Sequence, residues 1–161
     1  MKKLLVLALV AFFAMTGAAM AENYGAVKAG LYMPDEDGID NGFNLDAAYG
    51  MEFSETLIGE FSLGYATADL EVGSDSLDVI SLSAAALYPM ELDMVDVRLG
   101  GGLGYYMAEV GSADDTEIGF FGQADCIYPL DDEMGLIGEL KYSMIDELDV
   151  VTINVGVQFS L

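Results

Sequence analysis

One pattern recurs eight times along this chain: an apolar residue at every second position, over segments of roughly ten residues. The last segment, VTINVGVQFSL (151–161), shows it plainly. Val151, Ile153, Val155, Val157, Phe159 and Leu161 alternate with Thr152, Asn154, Gly156, Gln158 and Ser160. Successive side chains of an extended strand point to opposite faces, so each segment predicts a strand with one oily face and one polar face. One such segment says little. Eight in succession predict an all-β chain.

The predicted strands span about 24–33, 42–51, 56–68, 77–88, 95–108, 117–128, 135–144 and 149–161. In the first, Val27, Ala29, Leu31 and Met33 oppose Lys28; in the second, Phe43, Leu45, Ala47, Tyr49 and Met51 oppose Asn44 and Asp46. The fourth is ambiguous, with Ile80, Leu82, Ala84, Ala86 and Tyr88 as the better oily face. Acidic, glycine-bearing stretches follow strands 1, 3 and 5: PDEDGIDN (34–41), DLEVGSDS (69–76) and EVGSADDT (109–116). Shorter turns follow strands 2, 4 and 6, each opening on Tyr, then Gly or Pro, then Met or Leu. Pro89 and Pro129 fall at strand ends, where a missing N–H is tolerated.

The first 21 residues stand apart. Lys2 and Lys3 precede an unbroken apolar run from Leu4 to Met15, and Ala19-Met20-Ala21 makes a small-x-small cleavage site. That is the pattern of a secretory signal peptide, and the run is too short to span a bilayer. The expected organisation is a cleaved leader over 1–21 and one domain over 22–161. Removing the leader leaves three cations, Lys28, Arg98 and Lys141, against 28 acids. Such a balance excludes nucleic acid as a partner. Cys126 is the single cysteine, so no internal disulfide framework is expected. No cofactor is expected.

Eight amphipathic antiparallel strands fit a soluble barrel with its oily face inward, or a membrane barrel with its oily face outward. The cations favour the membrane. All three lie on polar strand faces, which also carry Asp46, Glu60, Asp125 and Glu139. Inside a narrow lumen they would neutralise carboxylates whose unpaired burial costs several kcal/mol. The tyrosines point the same way, because all of them fall near strand ends. Tyr24, Tyr49, Tyr88 and Tyr128 lie toward the short turns; Tyr32, Tyr65, Tyr105, Tyr106 and Tyr142 lie toward the acidic stretches. Two aromatic girdles at the membrane interfaces are therefore expected. The last strand is expected to pair with the first, leaving no open edge. The predicted fold is an eight-stranded antiparallel up-and-down transmembrane β-barrel.

The leader, the eight strands, GFNLDAAYGMEFSETLIGEFSLGY (42–65) and the final amphipathic strand resemble the small eight-stranded outer-membrane β-barrel family, the OmpA-barrel, OmpX and OmpW-like group often labelled porin family. The resemblance covers the chain after the leader, through loose patterns. It departs at the C-terminus, where members end on an aromatic residue, commonly Phe, read by the barrel-assembly machinery. Here Ser160 and Leu161 follow Phe159. The resemblance implies residence in the bacterial outer membrane, contact with its lipid and lipopolysaccharide, insertion by the assembly machinery, and a monomer. It does not imply the peptidoglycan-binding function of longer relatives.

Chemistry is sparse. Hydrolytic barrels use His as a general base, and this chain has no His. LGGGLG (99–104) lies inside a strand without a following Lys-Ser/Thr, so it is no phosphate loop. Gly100, Gly102 and Gly104 instead leave room for large lumen side chains, or for a ligand or kink. Asp35, Glu36, Asp37 and Asp40 form a weak divalent-cation candidate, although Gly38 and the lack of a closing Glu break EF-hand spacing. Bridging of these acids to anionic lipid by divalent cations is a separate expectation. Cys126 is read as a lipid-facing apolar filler. The expected role is structural or surface-interactive, with Lys28, Asp46, Glu60, Arg98, Asp125, Glu139 and Lys141 as an electrostatic cluster filling the lumen. The alternative is a narrow pore for passive transport of small solutes. Both termini are expected on the periplasmic side and the acidic loops outside.

Overall fold

A computed structural model describes residues 23–70, 76–111, 113–146 and 148–161. The predicted leader lies outside them. The strands are β1 (Asn23–Pro34), β2 (Gly42–Ser54), β3 (Leu57–Asp69), β4 (Ser76–Glu91), β5 (Asp96–Val110), β6 (Ala113–Pro129), β7 (Met134–Ile145) and β8 (Leu148–Ser160). Each pairs antiparallel with its neighbours in sequence, and β1 pairs with β8 to close the barrel. The closing ladder runs from Tyr24 opposite Ser160 to Pro34 opposite Val150. Closure satisfies every strand edge within the sheet, as a lipid environment demands.

The barrel is greasy outside and charged inside. Val27 and Val155 are 50% and 69% exposed, whereas Lys28 and Asn154, their neighbours in sequence, are 1% and 2% exposed. β4, ambiguous in sequence, buries Leu77, Val79 and Leu87 and exposes Ala84, Ala86 and Tyr88. Cys126 is free and exposed on the outer face.

One connection differs from expectation. EVGSADDT (109–116) is not a loop: Glu109 pairs with Asp114 and Ala108 with Asp115, so β5 and β6 extend as a hairpin beyond the predicted strand ends. Gly111, with φ of 61°, supplies the left-handed residue that lets the hairpin turn this tightly.

The lumen has three levels. Near the short turns Tyr24, Ile58 and Leu87 pack together. In the middle lie the charged residues. Toward the acidic end Tyr32, Ala66, Leu77, Val79, Tyr106 and Ile145 belong to an apolar cluster.

Candidate functional site

The middle level is built around Lys28 on β1. Its register puts it directly opposite Asp46 on β2. The Lys28 ammonium donates to Glu139 Oε2, lies 3.0 Å from Asp46 Oδ1, and is 3.9 Å from Glu60 Oε1. Glu60 also accepts from Tyr24 Oη at 2.5 Å and from Gln123 Nε2 at 2.9 Å. Gln123 Nε2 lies 3.1 Å from both Asp125 oxygens. Asn154 Nδ2 donates to Glu139 Oε1 at 2.8 Å, and its own carbonyl accepts from Asn44 Nδ2 at 3.0 Å. Side chains from β1, β2, β3, β6, β7 and β8 thus meet across the lumen. A buried charge is tolerable only when it is both paired and hydrogen-bonded, and Lys28, Glu60 and Glu139 meet both conditions.

Of the other two cations, Arg98 lies toward the short-turn end and Lys141 stands beside the centre, near Asp46, without forming a close ion pair. Arg98 lies 4.0 Å from the centroid of the Tyr24 ring and donates to Gln158 Oε1 at 2.7 Å. Lys141 lies 4.9 Å from the centroid of the Phe121 ring. Both use an aromatic face, which attracts a cation electrostatically where few waters remain. Arg98 is nonetheless in register with Asp125, and Asp125 with Glu139. All seven residues of the expected cluster are buried, but Lys28 alone makes the ion pairs found among the described residues.

The girdle expectation is corrected by parity. Tyr65, Tyr88, Tyr105, Tyr128 and Tyr142 are exposed on the outer face. Tyr24, Tyr32 and Tyr106 are not in girdles: they are buried in the lumen, because each lies an even number of residues from an inward residue of its own strand. Tyr49 occupies an outward position yet is buried. The outward tyrosines are therefore Tyr88 and Tyr128, with the covered Tyr49, at the short-turn end, and Tyr65, Tyr105 and Tyr142 at the acidic end.

Glycines make room for the inward rings. A Cβ on Gly104 would come within 2.5 Å of the Tyr106 ring, and one on Gly50 within 2.0 Å of the Tyr24 ring. Gly100 and Gly102 serve a different purpose, since a Cβ there would strike the carbonyls of Ala86 and Ala84 on β4. Asp35, Glu36, Asp37 and Asp40 are exposed, and no group of three side chains suited to a metal ion occurs among the described residues. The neutral partners Gln123, Asn154 and Asn44 carry much of the network. Their polar-face positions were visible in sequence; their level in the barrel was not.

Comparison with known proteins agrees with this geometry. The family model described as outer membrane protein beta-barrel domain matches residues 4–160. No curated protein matches the chain in sequence. Among solved structures, Neisserial surface protein A is similar with a TM-score of 0.69 and 18% identity, over 85% of this chain and 96% of that one. Ail, the attachment invasion locus protein of Yersinia pestis, is similar with a TM-score of 0.67 and 15% identity, over 88% of this chain and 99% of that one. The outer membrane enzyme PagL is similar with a TM-score of 0.60 and 11% identity, over 83% of this chain and 98% of that one. At these identities the likeness is one of fold.

Proposed function

Because the chain belongs to the outer membrane β-barrel family and so resides in the bacterial outer membrane, we propose that it is a non-conducting barrel with a structural or surface-interaction role, carrying its acidic end on the outside. The network around Lys28 carries this reading. It draws on six strands and fills the lumen of an eight-stranded barrel, whose interior is just wide enough for side chains. Tyr24, Ile58 and Leu87 pack beneath it, so a solute would meet a second obstruction.

The surface role draws support from charge. With three cations against 28 acids after the expected leader, the chain favours cationic partners, or anionic lipopolysaccharide bridged by divalent cations. PagL illustrates that this fold can host an enzyme. A chain without histidine lacks the usual general base of hydrolytic sites, which supports a non-enzymatic role.

Single-channel recording of the refolded protein in a planar bilayer tests the closed lumen. The expected trace is silent, with insertion verified by a heat-dependent gel shift. Discrete steps that change size in Arg98→Gln or Lys141→Gln would replace this reading with a narrow pore.

A further inference from the structure

At the acidic end the lumen opens into a cavity of about 400 Å³. Below it, toward the Lys28 network, the space narrows to about 30 Å³ beside Asn44, Asp46 and Lys141. The wide cavity lies within the roughly 300–1,000 Å³ typical of small-molecule sites. Its apolar lining comes from Leu77, Val79, Ile145 and Leu148, with Ala108. Its other lining residues include Glu36, Asp115, Glu117 and Asp146, and no cation lines it among the described residues. Tyr32 and Tyr106 line it as well. Tyr106 donates to Ser143 Oγ at 3.2 Å. Tyr32 is different. It is 5% exposed, and its buried hydroxyl has no hydrogen-bond partner.

We propose that this cavity binds a small amphiphilic cation, an ammonium group carried on a compact apolar body. The apolar body covers Leu77, Val79 and Ile145 and removes their surface from water. The ammonium faces the carboxylates, with the tyrosine rings as further cation-attracting surfaces. The Tyr32 hydroxyl oxygen accepts from the ammonium, filling a need that the protein leaves unmet. An anion is disfavoured by four carboxylates. A bare divalent ion is disfavoured because no three acidic side chains among the described residues are grouped closely enough to hold one, and the apolar part of the lining would stay uncovered.

Isothermal titration of the protein in zwitterionic lipid nanodiscs, with empty nanodiscs subtracted, tests this with 4-phenylbutylammonium. The matched probes are 4-phenylbutanol and 4-phenylbutyrate. Saturable one-to-one binding of the amine is expected, at least tenfold tighter than the alcohol and with no measurable heat from the acid. The combined Glu36→Gln, Asp115→Asn and Asp146→Asn variant should bind the amine at least tenfold more weakly. Tyr32→Phe should weaken it about threefold or more. Asp132→Asn, in the short turn at the opposite end, should change nothing. The proposal fails if amine and alcohol bind alike, if the triple variant binds as the parent does, or if Asp132→Asn weakens binding as much as the triple variant. All variants are first checked for the heat-dependent gel shift, and the acids exchanged are exposed, so folding and binding are read separately.

Discussion

Midway along the barrel, Lys28 sits among Asp46, Glu60 and Glu139 with its ammonium wholly enclosed. Toward the acidic end the same closed sheet turns Leu77, Val79, Ile145 and Val150 inward instead. Both levels keep their backbone in the same ladders, yet they treat buried surface oppositely. The middle level is specified by direction and pairing: each group needs a particular partner at a particular distance. The upper level is specified mainly by volume, with Tyr106 to Ser143 as a directional contact, and it borders an open cavity. A lumen can therefore be filled by a polar network at one level and left open at another.

Substitutions can break this contrast or sharpen it. The largest effect is expected for Lys28→Met, which strands three carboxylates in the interior. It should cost about 3–5 kcal/mol, the usual range for removing one partner of a buried charge pair. Tyr24→Phe deletes a hydrogen bond to the Glu60 carboxylate and should cost roughly 1.5–3 kcal/mol. Leu77→Ala should cost about 2 kcal/mol, the low end for large-to-small changes, because its site borders an open cavity and is not fully enclosed. Tyr32→Phe should change stability by less than about 0.5 kcal/mol, since it removes a hydroxyl with no partner. Urea unfolding in lipid vesicles reads all four. Circular dichroism is the suitable probe, because the chain has no tryptophan. Equal losses for Tyr24→Phe and Tyr32→Phe would erase the distinction between the two levels.

The strands were legible because alternation is a local property. Val27 beside Lys28, or Val155 beside Asn154, announces a two-faced strand without reference to anything distant. Strand ends were less so. Asp114, Asp115 and Thr116 are polar in succession, without alternation, yet the hairpin across Gly111 holds them in the ladder. Tyr24 and Tyr32 were legible but misassigned. Position near a strand end suggested a girdle, while parity with Lys28 required the lumen, and parity wins because it is set by the backbone. What no local pattern carries is stagger. The Lys28–Glu139 contact depends on how far each strand is shifted against the next around the barrel, summed over the intervening hairpins. The same applies to Gln123 meeting Glu60, 63 positions apart.

That contact also bears on the order of events during assembly. Lys28 enters with the first strand, and its hydrogen-bonding carboxylate arrives with the seventh, 111 residues later. Until then the ammonium has Asp46 and Glu60 within reach of a growing sheet, but not the partner that completes its shell. An early sheet of three strands would expose this half-neutralised centre and two unpaired edges to hydrocarbon. Pairings so remote in sequence also form slowly, because a long stretch of chain must be ordered before they repay its lost freedom. The contact between Lys28 and Glu139 is thus one that only a nearly completed circle of strands can close.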